Sequence, residues 1–167
     1  MPNWCENDLI VTGPAKDLDR FVIQGLSFNK GIPYPSHFEA LDVITRVWEA
    51  AHPDGSDEYK QPFNERPKDG YNQGGYEWCI ENWGCKWDVD KAEANITRTS
   101  PARLQASFST PWSPPLPVLR AWSSQYRTLT FSIRYYECGM AFKGRYKVRN
   151  SQILANTTAS YTGHRGG

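Results

Sequence analysis

Leu9 and Val11 alternate with polar or exposed neighbours in NDLIVTG, Asn7 to Gly13, and a Gly-Pro step follows; the period of two predicts a short strand. The pattern then changes to a helical one. In AKDLDRFVIQG, Leu18, Phe21 and Val22 share one face, Asp17 and Asp19 sit where the helix dipole favours acids, and Gly25 can end the helix. FNKGIPYP is punctuated as a loop. After it, Ser36 and Glu39 have capping-box spacing, and Phe38, Leu41, Ile44, Val47, Trp48 and Ala51 predict a second amphipathic helix. From His52 to Gly75 apolar anchors thin out and Pro, Gly and charged residues dominate, which predicts a mobile insertion or lid.

The C-terminal half is more regular. ANITRTSPARLQASFSTP predicts a hairpin turning at Ser-Pro, with Leu104, Ala106 and Phe108 inward and Arg103, Gln105, Ser107 and Ser109 outward. Ser113 reads as the N-cap of a Pro-led helix whose apolar face is Leu116, Leu119, Trp122 and Tyr126. Leu129, Phe131, Ile133 and Tyr135 alternate along one strand. Phe142, Tyr146 and Val148 alternate along a last one, against outward Lys143, Arg145, Lys147 and Arg149. From Ser151 to the closing TGHRGG a frayed tail is expected.

This order fits a split βαβ arrangement: an α+β domain with an antiparallel sheet and helices on one face. Its other face would show Arg103, Gln105, Ser107, Thr130, Ser132, Arg134 and the four basic residues of the last strand.

Between the two halves, YEWCIENWGCKWDVD places Trp78, Trp83 and Trp87 at spacings of five and four, so the three cannot share one face of a regular helix. A short helix ended by Gly84 would bury some rings and leave others at the surface. Trp83, Lys86, Trp87 and Asp88, with Trp112 and Glu137, form a candidate recognition patch beside the plainer reading of a core plug.

Composition narrows the function classes. An aromatic content of 14% with a mean hydropathy of −0.66 describes a folded chain with a polar surface. No stretch approaches the roughly 20 apolar residues of a membrane span, and the N-terminus lacks a signal-peptide profile, so a cytoplasmic protein with free Cys5, Cys79, Cys85 and Cys138 is expected. Charge is segregated: 9 Lys and Arg stand against 17 Asp and Glu through Asn95, and 10 against 1 from Ile96 onward. The two halves can pair with each other, or the basic one can meet an anionic partner.

Five strings, MPNWCEN, FNKGIPYP, EWCIENWGCKWD, STPWSPPLPVL and YYECGMAFKGRY, together resemble the YubB-like family of small bacteriophage and plasmid proteins. The similarity runs in order from Met1 to about Tyr146. It implies a ferredoxin-like βαββαβ domain over residues 1–150, an insertion at about 30–90, and a partly disordered tail at 151–167. Here the fold name carries no iron–sulfur meaning. Cys85 stands where the family string has threonine, which weakens a metal role for Cys79 and Cys85. The mobile-element resemblance implies a non-enzymatic accessory protein that binds a host protein or complex and interferes with host defence, in an anti-CRISPR or similar role.

The chemistry-bearing residues point the same way. Cys-x5-Cys is no standard zinc or cluster spacing, His37, His52 and His164 do not cluster, and neither a nucleophile elbow nor a phosphate-cradling glycine string occurs; no cofactor and no metal are expected. Glu77, Glu81, Asp88 and Glu137 are the carboxylates an enzyme would have to use. For partner binding the candidates are Lys143, Arg145, Lys147, Arg149, Arg134 and Arg103, suited to tracking the phosphates of a nucleic acid. The plainer account of the stripe is an edge strand whose charges discourage pairing with other sheets.

Overall fold

The computed structural model describes residues 3–53, 65–90 and 95–163. Its elements are β1 (Trp4–Thr12), α1 (Ala15–Gln24), α2 (Phe28–Gly31), α3 (Ser36–Ala51), a 3-10 turn (Tyr71–Gln73), α4 (Gly75–Trp83), β2 (Asn95–Ser100), β3 (Arg103–Pro111), α5 (Leu116–Gln125), β4 (Thr130–Glu137), β5 (Phe142–Arg149) and β6 (Gln152–Ser160). The strands form one sheet in the order β2-β3-β1-β4-β5-β6, and every neighbouring pair is antiparallel. The first four strands with α1 and α5 make the βαββαβ unit expected from the pattern, with β1 central. β5 and β6 extend it on one side.

The chain divides into two compact units, residues 1–33 with 80–167 and Tyr34–Cys79. The inserted unit is thus narrower than the expected 30–90, and the boundary falls inside α4. Within it, Thr45 is buried and bonds back to the Leu41 and Pro67 carbonyls, Asp42 accepts the Tyr71 N–H at 3.0 Å, and Arg66 donates twice to Glu49. These polar ties orient α3 differently from its apolar pattern. Ile44 and Val47 are exposed, and Phe38, Leu41, Thr45 and Trp48 are the better-covered line. Ser36 does not cap the helix, because Pro35 occupies the N-cap. Of the expected lid, 65–75 is ordered by these contacts and 54–64 lies outside the described residues.

In the sheet unit the period-two positions are buried as expected: Leu9, Val11, Leu104, Ala106, Phe108, Leu129, Phe131, Ile133, Tyr135, Tyr146 and Val148. Rings cover them. Phe21 of α1 meets Trp122 and Tyr126 of α5 and Phe131 of β4 edge-on, at centroid distances of 5.3, 5.6 and 5.2 Å. Each such pair contributes about 1 kcal/mol beyond the area it buries. Phe28 extends the cluster to Trp83 and Phe108. Only glycine fits at position 31, since a Cβ there would lie 2.6 Å from Trp122 Nε1.

Two local expectations are corrected. Ser113 is not the cap of α5: Pro114 and Pro115 hold the chain out of the helix until Leu116, and the Ser113 hydroxyl donates to the Gly84 carbonyl at 2.5 Å. Nor does the chain fray from Ser151. Asn150 and Ser151 adopt φ of 47° and 62°, the paired left-handed conformation of a two-residue hairpin turn, and β6 returns along the whole of β5. β6 is exposed throughout, so it carries no hydrophobic alternation to read.

Gly31→Ala is expected to destabilise the fold by about 1–3 kcal/mol through overpacking against Trp122. Denaturant unfolding followed by tryptophan fluorescence measures it, and an unchanged midpoint would contradict the packing.

Candidate nucleic-acid interface

Because α1 and α5 cover one face of the sheet, the alternate residues of each strand face away from them. The register places these in cross-strand rows. One runs Ser107, Asp8, Arg134, Arg145, Thr157; the next Ser109, Glu6, Tyr136, Lys143, Ala159; another Gln105, Ile10, Ser132, Lys147, Ala155; and a fourth Arg103, Thr12, Thr130, Arg149, Gln152. All the expected cations therefore share one face. Arg103 stands apart, three strands or about 14 Å from Arg149.

Arg134 and Arg145 are directly opposite each other, and like charges in that position destabilise a sheet. Among the described residues none of Arg134, Lys143, Arg145, Lys147 and Arg149 forms an ion pair. Nor is their strand an edge. β6 covers it, so the edge-protection account of the stripe does not hold.

Arg134, Lys143 and Arg145 line a groove of about 560 Å³ with Asp8, Tyr136 and residues 157–159 and 161. At one end Tyr136 and Tyr161 stack, with centroids 5.1 Å apart. Burial, and then the nearby Glu6 carboxylate, raise the pKa of the Tyr136 hydroxyl, so it serves as a neutral polar group. Asp8, Glu6 and Tyr161 are additions to the expected face. Extending the alternation of β1 back to Glu6 would have found the acids. Tyr161 follows β6, which has no sequence signature.

The tryptophan patch comes apart in part. Trp87 and Trp112 are surface rings, 39% and 38% exposed, and Lys86 lies 4.6 Å over the Trp112 ring. Trp4, absent from the expected set, meets Trp87 edge-on at 6.1 Å. Trp83 is buried, with its indole N–H on the Ile32 carbonyl at 2.8 Å. Asp88 is committed to structure: it accepts the N–H groups of Phe28 at 2.6 Å and Asn29 at 3.3 Å and the Ser27 hydroxyl at 2.8 Å, holding the start of α2. Glu137 is buried and accepts the N–H of Gly139 at 2.6 Å and that of Met140, closing the turn from β4 to β5.

Glu77 and Glu81 are exposed on α4, and Asp88 and Glu137 bind backbone amides. A second groove, of about 710 Å³, does join Glu137 to Glu6, Tyr136 and Cys138, with Asn3, Trp4 and Gly139. Cys5, Cys79 and Cys85 are buried and outside any disulfide, and the described residues hold no cluster of three or more metal-ligating side chains. Burial, with the Glu137 carboxylate pushing the same way, raises the Cys5 thiol from its usual 9.0 to about 12, which leaves it protonated and unreactive. No described helix is long and apolar enough to cross a membrane.

Residues 82–164 match the family model for the ferredoxin-like domain in Api92-like protein. That segment runs from the end of α4 through β6, so the central strand β1 and the helix α1 come from outside it. A crystal structure of protein Api92 from Yersinia pseudotuberculosis superposes with a TM-score of 0.59 at 12% identity, covering 99% of this chain and 100% of that one. At that identity the likeness speaks for the fold. None of the curated proteins compared matches this chain. An Api92-like ferredoxin-like domain is consistent with the architecture expected from the pattern of the strands.

Asp88→Ala is expected to cost about 2 kcal/mol, because it leaves backbone N–H groups of α2 unpaired, and to leave binding at the basic face unchanged. Unfolding melts and a binding titration separate the two. For Cys5 the sign is set by the raised folded value. The folded chain holds the proton more tightly, so the group's stabilisation is complete below pH 9 and declines as pH rises towards 12, by up to about 1.4 kcal/mol per unit. Cys5→Ala should flatten that alkaline limb; identical slopes in denaturant titrations of both proteins would contradict it.

Proposed function

We propose that the chain is a non-catalytic binding protein whose uncovered sheet face holds the phosphate backbone of a nucleic acid. The observation that carries this reading is the set of five cations that form no ion pair among the described residues, with Arg134 directly opposite Arg145, on an interior strand pair where neither burial nor edge protection accounts for them. Opposed like charges cost stability in the free protein. A bound polyanion relieves that repulsion.

The geometry also supports weak sequence dependence. Along β5 the cations recur every two residues, about 6.8 Å apart, and each offers charge to phosphate rather than a reader of base edges. The Tyr136–Tyr161 pair provides one ring surface at the groove's end, enough for a single stacked base. Asp8 and Glu6 bound the basic zone on the β1 side and would repel a strand that strayed across it.

A second reading, a protein partner, is favoured by the half-exposed rings of Trp4, Trp87 and Trp112 with Lys86. In a chain encoded by a phage or plasmid, as the resemblance to the YubB-like family implies, either surface would let it engage a host complex, and the anti-defence purpose rests on that resemblance alone. An enzyme would have to use the groove joining Glu6, Glu137 and Cys138.

With five phosphates engaged, the logarithm of affinity for a single-stranded oligonucleotide is expected to fall with the logarithm of salt at a slope of about −3.5. Arg145→Glu combined with Lys147→Glu should abolish retention at low salt while stability stays within about 0.5 kcal/mol. Absence of retention by the parent protein at low salt would remove this reading.

A further inference from the structure

The two edges of the sheet are built differently. β2 has six residues, carries Arg98 in an ion pair with Asp19, and breaks register between Arg98 and Ser100. Short length, a charge and an irregularity are the usual means of discouraging a further strand. β6 has nine residues, QILANTTAS, with no charge, no proline and no glycine, all exposed. Its one irregularity lies near its start, where the register with β5 shifts between Lys147 and Val148, so Ala155–Ser160 is a regular, open run.

The groove beside β6, about 520 Å³, is lined by Leu116, Ala121 and one cation, Arg120, of α5, by Tyr146, and by Ile153 and Asn156 of β6 itself. Ile153 and Leu154 are 51% and 54% exposed. A strand added outside β6 would place alternate side chains towards the helix side and extend that wall.

We propose that β6 pairs antiparallel with β6 of a second copy of this chain, joining two sheets into one of twelve strands. Antiparallel pairing is self-complementary about a two-fold axis, which is the commonest symmetry of homo-oligomers. Charge does not oppose a like partner at β6. An uncharged strand meets its own copy without like-charge contact, whereas the sheet's other edge brings Arg98. The two-fold axis lies perpendicular to the sheet, so both basic faces end on the same side. β5 of one copy and β5 of the other are then three strand spacings apart, about 14 Å, with the neutral β6 pair between them. The pairing stands without the nucleic-acid reading, and if both hold, the two stripes act as one surface.

Sedimentation velocity over a concentration series is the test, with hydrogen exchange across residues 152–160. The parent chain should approach twice 19.1 kDa and its β6 amides should become more protected with concentration. Asn156→Lys and Thr158→Lys, made separately, should each return the mass to 19.1 kDa with an unchanged circular dichroism spectrum. If one variant fails to fold, Ala159→Lys on the opposite face serves in its place. A parent that stays at 19.1 kDa throughout, or folded lysine variants that remain dimeric, would overturn the proposal, and either result leaves oligonucleotide retention to be judged separately.

Discussion

Edge-on packing of Phe21 against Trp122, Tyr126 and Phe131 is the contact on which the sheet unit depends. It ties α1 and α5 to the same face of the sheet, with the rings packed over the buried aliphatic residues of the strands. Gly31 has no side chain because the indole of Trp122 already occupies the space. Trp122 Nε1 is buried with no hydrogen-bond partner among the described residues, a penalty of about 1–3 kcal/mol that the packing of the ring must exceed. Gln24 Nε2 is likewise buried without a partner, whereas the buried Asn7 and Thr110 are satisfied. Asn7 donates to the Cys5 carbonyl and to Thr110, whose hydroxyl donates to the Ser113 carbonyl.

Committing both helices to one face leaves the other without cover, and its chemistry follows from strand order. β1 comes from the acidic half of the chain and β4 to β6 from the basic half, so the central strand contributes Glu6 and Asp8 while the strands beside it contribute Arg134 and the β5 stripe. The segregation of charge along the sequence becomes a boundary across one surface. Ser107 and Ser109 donate to Asp8 and Glu6, so these acids are engaged on the β3 side rather than with the cations of β5. That arrangement leaves the basic zone available.

What could be read in the sequence was whatever depended on one face being buried. Leu104, Ala106 and Phe108, and Leu129, Phe131, Ile133 and Tyr135, report their strands because a slip of one residue would expose the whole set. Gly25 and Gly84 report helix ends because both stand at positive φ, 74° and 84°. β6 was hidden for the opposite reason: it buries neither face, and its one local signal, Asn150 in a left-handed turn, is weak by itself. The role of Asp88 was equally hidden. A carboxylate that binds backbone amides in a distant segment looks in sequence like any surface acid, and only the fold shows that Asp88 reaches Phe28. Because β6 pairs outside them, Lys143, Arg145, Lys147 and Arg149 sit on an inner strand and need a reason other than guarding an edge.

The central claim is that the face turned away from the ring cluster is the binding surface. Amide chemical-shift mapping during titration with a single-stranded oligonucleotide at low salt tests it most directly. The account predicts shifts confined to outward positions of β4 and β5, led by Arg134, Lys143, Arg145 and Lys147, with the inward Ile133 and Tyr146 side chains undisturbed. Shifts centred on Trp4, Trp87 and Trp112, or none at saturating oligonucleotide, would contradict it.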